Sequence, residues 1–231
     1  MKQIFKLGYA IILRSKKRKR KFGKNKRMNL RDKFTELLLN IGFEEDIIVK
    51  NWSELEKAYS SNSRQYHNLN HLSEMIVCYD LYESNLKCPN EVLYAVFYHD
   101  IIYKVTRKDN ELKSAEYALG ILPTNAKLNK ELIFDVICAT QLHQHNDNED
   151  INWLIDFDLK ILSKDWDDYK IYFEQIRKEY KIYPNFLYNS GRKKALKHFL
   201  ENEFIFQTQE FRGKYELKAR ENIKHEIDFL S

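Results

Sequence analysis

Histidine and aspartate residues, which are common ligands of divalent cations, recur in order along the middle of the sequence. Five of the seven histidines lie between positions 67 and 145. Neutral imidazoles combined with carboxylates suit a borderline or hard divalent ion (Mn, Fe, Co, Zn or Mg) better than a soft metal that prefers thiolates. The sequence therefore predicts a divalent metal site. Its candidate residues are, in chain order, His67, His71, His99, Asp100, His143 and Asp158.

The surroundings of these residues indicate helices that bring them together. If their segment is helical, His67 and His71 are four residues apart and lie on one helix face. His99 and Asp100 end the apolar run V-L-Y-A-V-F-Y, which is typical of a buried helix. Because an unpaired buried charge is costly, this position requires a partner, and a metal ion is a suitable one. His143 and Asp158 lie in comparable apolar segments.

The pattern of the whole body predicts a single all-α domain over residues 28–231, built as a helical bundle. That range contains only four glycines and three prolines, too few for the turns of a β-sandwich or barrel. No internal repeat or Ser/Gly-rich linker divides it. One helix is predicted to end at Gly42, and another to begin at Pro89-Asn90-Glu91. A third is predicted to begin at Asp109 or Asn110 and to end at Gly120. Further helices are predicted over Lys130–Leu142, Trp166–Ile182, Arg192–Leu200 and Tyr215–Leu230.

The charge is divided unevenly between the N-terminal segment and the body. Residues 1–27 contain 12 of the 39 Lys and Arg residues and no acid, so 27 bases face 34 acids in residues 28–231. The body is thus acidic and lacks the positive surface that nucleic acid requires. Attraction to nucleic acid or to an anionic membrane is expected only through the basic arm, residues 1–27.

The arm itself has several interpretations. Its apolar run precedes its basic cluster, the reverse of a secretory signal. We expect a disordered extension without a role, or an upstream start with Met28 as the true first residue; the alternatives are a membrane-surface tether and a nucleic-acid tail.

The cysteine content and the hydropathy indicate a cytoplasmic setting. The three cysteines form no C-x-x-C pair and therefore neither a disulfide framework nor a thiolate zinc site. No apolar run approaches the roughly 20 residues of a transmembrane helix. The sequence leaves the oligomeric state open.

At these motifs the sequence resembles the HD-domain superfamily of metal-dependent phosphohydrolases, whose ligands follow the order H…HD…D on an all-α scaffold. Y-H-N-L-N-H is similar to the YHNxxH signature of the cyclic-nucleotide phosphodiesterase branch. A closer resemblance, over roughly Arg64 to Glu226, is to a bacterial group of predicted HD-superfamily phosphohydrolases. It rests on R-Q-Y-H-N-L-N-H-L, F-Y-H-D-I-I-Y, D-N-E-L-K-S-A, D-F-D-L-K-I-L, I-R-K-E-Y and A-R-E-N-I-K-H-E.

The resemblance implies a role for each matching position. The implied metal ligands are His71, His99, Asp100 and Asp158. Asp156 is a weaker candidate for the last ligand. His67 matches the histidine that protonates the leaving oxygen. Binuclear members have further histidine ligands, and only His143 and His145 remain here for a second ion, so the resemblance leaves the number of ions open.

These roles predict hydrolysis of a phosphate ester of a small molecule, such as a nucleotide. A divalent ion lowers the pKa of its bound water towards ~7 and so supplies hydroxide for attack on phosphorus. Proton donation by His67 is a role worth ~10²–10⁴-fold in rate. Arg64 is expected to bind the phosphate, and Glu111 either orients a water, binds a second ion or caps its helix. Further positive charge is expected from Lys104, Arg107 and Lys108.

Two other functions compete with this prediction. Some HD-fold proteins bind two irons and activate oxygen, which makes a di-iron oxygenase the first alternative. The second is a non-catalytic binding or regulatory module that the metal stabilises. Within I-R-K-E-Y, we expect Arg177, Glu179 and Tyr180 to form a structural ion-pair and packing element.

Overall fold

A computed structural model describes residues 29–230, and within that range the regular structure is helical throughout. The prediction of an all-α protein is confirmed. The predictions for residues 1–27, and for a start at Met28, lie outside the described residues. The α-helices are α1 (Leu30–Asn40), α2 (Glu45–Tyr59), α3 (Leu69–Tyr82), α4 (Pro89–Tyr98), α5 (Asn110–Gly120), α6 (Lys130–Ala139), α7 (Glu149–Leu159), α8 (Trp166–Glu179), α9 (Asn185–Glu201) and α10 (Gln209–Phe229), with short 3₁₀ turns at Glu83–Asn85 and Lys160–Ser163.

Helix α4 lies at the centre of the fold. It packs against α1, α3, α5, α6 and α7, and each residue from Val92 to Tyr98 is buried. A helix that is covered on all sides has no polar face, which explains its continuous apolar sequence. Its C-terminal end therefore delivers His99 and Asp100 into the interior of the protein.

Several helix ends match the sequence signals that predict them. Gly42, two residues beyond the end of α1, has a φ of +97°, a conformation that glycine adopts without the strain a side chain causes. Pro89 is the first residue of α4, where its missing N–H costs nothing. α5 runs from Asn110 to Gly120, as predicted.

Four helices differ in length from the prediction. α6 ends at Ala139 rather than Leu142, and His143 in the following loop has a φ of 52°. α8 ends at Glu179 rather than Ile182. α9 and α10 both begin earlier than predicted, because Pro184 and Thr208 occupy the extended positions that precede a helix. The turns that shorten α6 and α8 lie beside the candidate site.

The described helices were also compared with the requirements of a membrane crossing. Within residues 29–230, none has both the length and the apolar character to span a bilayer.

Candidate metal centre

Three helices bring four candidate ligand side chains close together. His71 lies in the first turn of α3, His99 and Asp100 follow the end of α4, and Asp158 is near the end of α7. The Nε2 atom of His71 is 3.3 Å from Nε2 of His99 and 3.2 Å from Oδ1 of Asp158. Oδ2 of Asp100 is 3.2 Å from Nε2 of His99. Atoms bound about 2.1 Å from one ion are separated by about 3.0–3.4 Å in tetrahedral or octahedral geometry. His71, His99 and Asp158 can therefore hold a metal ion.

A backbone contact fixes the ring of His99 in a metal-binding tautomer. Nδ1 of His99 lies 2.9 Å from the carbonyl oxygen of Val96 and donates its hydrogen to it. Nε2, which faces His71 and Asp100, is thereby left with its lone pair. Metal-binding histidines are commonly oriented by such a bond from the other ring nitrogen.

The electrostatics of the four residues favour a bound cation. Burial lowers the pKa of His99, but the Asp100 and Asp158 carboxylates more than offset this and raise it to about 9. Burial raises the pKa of Asp100 and of Asp158, yet the adjoining imidazoles hold both below their usual range. Two ionised carboxylates in a buried site require positive charge, which a divalent ion supplies when it displaces the proton. The donor set thus fits a divalent metal.

His143 lies beside Asp158 rather than within the group of His71 and His99. Nε2 of His143 is 2.9 Å from Oδ2 of Asp158, the oxygen that does not face His71. Glu111 is half-buried at the start of α5, and its burial and the charge of Asp100 raise its pKa. His143 therefore borders the candidate site, and Glu111 lies within electrostatic range of it.

His67 does not share a helix with His71, and that prediction is wrong. α3 begins at Leu69 with Asn68 as its N-cap, because the Asn68 side chain accepts a hydrogen bond from the N–H of Asn70. His67 lies in the preceding turn. The centroids of the His67 and His71 rings are nevertheless 6.0 Å apart, so the turn places His67 next to the ligands.

A buried glutamate from a distant helix holds His67. Oε2 of Glu179, the last residue of α8, lies 2.7 Å from Nδ1 of His67 and 2.7 Å from the hydroxyl of Tyr103. Its other oxygen accepts the N–H groups of Gln65, Tyr66 and His67. The Tyr103 ring also stacks on the imidazole, with centroids 4.2 Å apart. His67 and Glu179 are therefore a fixed dyad.

The dyad shifts the pKa of both its members. Burial lowers the pKa of His67, but the hydrogen bond to Glu179 and the charge of Asp100 raise it above the usual value. Burial raises the pKa of Glu179, and the interactions with His67 outweigh that effect and lower it to about 2. The Glu179 carboxylate thus stabilises the protonated form of His67 beside the candidate ligands.

The sequence predicts a structural ion pair for Glu179, with substrate contact as the lesser alternative, and does not predict its contact with His67. The sequence does indicate that Glu179 is buried, because it lies on the buried stripe of α8, seven residues after Tyr172 and three after Ile176. An acid on an apolar stripe requires a polar partner. The sequence alone does not identify His67, 112 positions away, as that partner.

Arg64 does not face the cleft as a phosphate ligand, which corrects the prediction. Its guanidinium is buried and donates 2.7 Å to the carbonyl oxygen of Asp100 and 2.9 Å to that of Ile101. It also lies over the rings of Tyr59 and Tyr103. Arg64 thus fixes the backbone that carries Asp100.

Asp156, the weaker candidate for the last ligand, points away from the site. Its carboxylate accepts hydrogen bonds from the N–H groups of Gln207 and Thr208 and from the Thr208 hydroxyl. It therefore anchors the start of α10. Of the two aspartates, only Asp158 joins the metal group.

The positive residues that follow the His-Asp pair remain at the surface. Lys104, Arg107 and Lys108 are exposed, and Arg107 forms an ion pair with Asp109 at 2.8 Å. They are not brought into contact with the four ligands.

Two of the cavities beside the candidate ligands reach Asp158. The first, of about 470 Å³, is bordered by His67, His143 and Asp158 and extends between α8 and α9. The second, of about 520 Å³, reaches His71 and Asp158 from the side of α3 and the Lys160–Ser163 turn. A small molecule bound in either cavity contacts the metal group.

Comparisons with protein-family models, with curated proteins and with solved structures gave no significant match.

Proposed function

We propose that this protein is a divalent-metal-dependent phosphohydrolase that cleaves a phosphate ester of a small molecule. The observation that carries the proposal is the position of the His67–Glu179 dyad beside four residues with the spacing of metal ligands. A metal site alone serves many functions. A histidine held next to it by a buried carboxylate that raises its pKa adds the proton donor that departure of an alkoxide requires.

His71, His99, Asp100 and Asp158 would hold the ion. When bound, a divalent ion supplies a water molecule of lowered pKa and a positive charge that polarises a phosphoryl oxygen. We assign the final ligand to Asp158 because its Oδ1 faces His71.

His67 acts as the general acid in this proposal. Its Nδ1–H bond to Glu179 keeps the imidazolium oriented, and no protein hydrogen bond to Nε2 is present within residues 29–230. Nε2 therefore donates its proton to the leaving oxygen as the P–O bond breaks. Glu179 and Tyr103 position the ring, and Arg64 positions the backbone of Asp100.

We also propose that the chain belongs to the HD-domain superfamily. The order H…HD…D in the sequence supports this, as does an all-α fold in which the four motif residues converge. The finer assignment to the predicted bacterial phosphohydrolase group rests on the motifs alone.

The experiment is a screen for phosphate release. Full-length protein is incubated with Mn, Fe, Co, Zn or Mg and with phosphate monoesters, diesters and nucleotides. We expect turnover with at least one ion and none after chelation. A protein that binds metal yet hydrolyses no ester, under any of these conditions, would contradict the proposal.

A His67→Gln variant tests the general acid separately. We expect kcat to fall by about 10²–10⁴-fold, while the metal content stays that of the wild type because His67 is not a ligand. Metal analysis of the same sample provides the control. Unchanged kcat would show that another group protonates the leaving oxygen.

The same experiments separate the alternatives. A di-iron oxygenase would require oxygen and iron for turnover, whereas hydrolysis proceeds anaerobically. A binding or regulatory module would hold metal without turnover. The oriented proton donor favours hydrolysis, since leaving-group protonation is a step that ester cleavage requires.

A further inference from the structure

The position of His67 identifies the cavity that receives the leaving group. His67 borders the cavity of about 470 Å³ and is not among the residues that line the cavity of about 520 Å³. If His67 is the general acid, as proposed above, the oxygen that it protonates lies in the first cavity. The following inference rests on that proposed function and concerns the group attached to this oxygen. We name this space the leaving-group cavity.

The walls of the leaving-group cavity are aromatic and aliphatic. Helices α8 and α9 and the turn between them supply most of them. The lining residues away from the ligands include Tyr172, Ile176, Tyr180, Tyr183, Tyr188 and Phe199. When such walls cover the apolar surface of a ligand, the free energy of the complex falls. Aromatic side chains also favour contact with an aromatic ring of the ligand.

The cavity offers no spare positive charge to a second phosphate. Among its described lining residues, Arg192 is the only Lys or Arg. Its guanidinium donates 2.7 Å and 3.0 Å to the two oxygens of Glu226, and 3.2 Å to the hydroxyl of Tyr172. Because this cation is already neutralised by a buried carboxylate, a further phosphate there would be desolvated without a partner.

We infer that the substrate is a phosphate monoester whose leaving group is uncharged and carries an aromatic ring. One P–O bond breaks, the oxygen of water forms the new bond to phosphorus, and the proton on His67 passes to the leaving oxygen. The products are inorganic phosphate and a free alcohol or phenol. Nucleoside triphosphates are disfavoured, because their additional phosphates would enter the apolar cavity.

Gly191 offers a way to reduce the cavity without touching the ligands. It lines the cavity from α9, and a Cβ added there meets no atom within 4 Å. A leucine at this position extends into the open space. Gly213 lies in α10, and a Cβ added there likewise meets no atom within 4 Å. Gly213 does not line the cavity. Gly213→Leu is therefore the matched control.

The test combines binding and turnover on the full chain. Calorimetry measures the affinity for 2-naphthol, an uncharged aromatic leaving group, without added metal. We expect Gly191→Leu to weaken binding by about tenfold or more and Gly213→Leu to leave it unchanged. With metal added, we expect kcat/KM for 2-naphthyl phosphate to exceed that for glycerol phosphate and for ATP by about tenfold or more.

Each outcome supports or overturns a defined part of the argument. No binding of 2-naphthol, or equal binding by the Gly191→Leu variant, overturns the inference. So does a kcat/KM for ATP equal to or above that for the aryl ester, although the phosphohydrolase proposal then stands. Binding of 2-naphthol with no hydrolysis of any ester supports the ligand class of the cavity and overturns the proposed function.

Discussion

At the scale of single residues, the site depends on how each histidine is held. Val96 accepts the Nδ1–H of His99, and Glu179 accepts that of His67. The carbonyl oxygen orients the first ring with Nε2 towards the other candidate ligands, whereas the buried carboxylate orients the second ring and raises its pKa. The same side chain thus serves two purposes because its second nitrogen has different partners.

The dyad predicts a pH dependence. Because Glu179 raises the pKa of His67, kcat should decline as the pH rises through a value above the usual pKa of histidine. Glu179→Gln removes the negative partner, which lowers the pKa of His67 and moves the decline to lower pH. The pH profiles of kcat for both proteins measure this.

Tyr103→Phe is the control for that experiment. It keeps the ring that stacks on His67 and removes only the hydroxyl that donates to Glu179. We expect its pH profile to stay near that of the wild type. Identical profiles for Glu179→Gln and the wild type would show that the dyad does not set the titration.

The convergence of the candidate ligands could be predicted from the sequence, whereas their supporting partners could not. His71, His99, Asp100 and Asp158 are recognisable because their types and order carry the signal. Glu179 acts across 112 positions, and its role exists only after α8 packs against the His67 turn. Arg64 was assigned to phosphate for its charge, but its position beneath the Asp100 carbonyl is a tertiary feature.

At the scale of helices, the sequence predicts which segments are buried better than it predicts where each helix ends. The apolar run of α4 and the glycine after α1 correspond to local physical requirements, and both were predicted. The ends of α6 and α8 depend instead on loops that turn towards the site. No local sequence signal specifies those turns.

Two glycines near helix ends give a matched pair for stability. Gly42→Ala places a side chain at a φ of +97°, and we expect the free energy of unfolding to fall by about 1–2 kcal/mol. Gly120→Ala lies at the end of α5 with nothing within 4 Å of its added Cβ, and it should be neutral or stabilise by up to about 1 kcal/mol. Urea unfolding measures both. Equal effects would contradict the assigned strain at Gly42.

At the scale of the whole molecule, opposite charges are separated along the chain. Residues 1–27 carry 12 bases and no acid, while the rest has 34 acids and 27 bases. An acidic body repels polyanions, so any such binding is expected to come from the arm. The candidate metal site and the arm are thus predicted to act independently.

Deletion of residues 1–27 tests this independence. We expect the shortened protein to keep its rate of phosphate release and to lose retention on heparin, which in the full chain should weaken steeply with salt. Retention of the shortened protein at low salt would show that the body binds polyanions. Loss of turnover would make the arm part of the catalytic apparatus.

The central claim is that His71, His99, Asp100 and Asp158 together hold a divalent ion. Its most direct test is the metal content of the purified chain after incubation with divalent ions and extensive dialysis, with Asp100→Ala and Asp158→Ala in parallel. We predict at least about one tightly held ion per wild-type chain, and loss of that ion in the Asp100→Ala and Asp158→Ala variants. A wild-type chain without metal, or variants that retain as much as the wild type, would contradict the account.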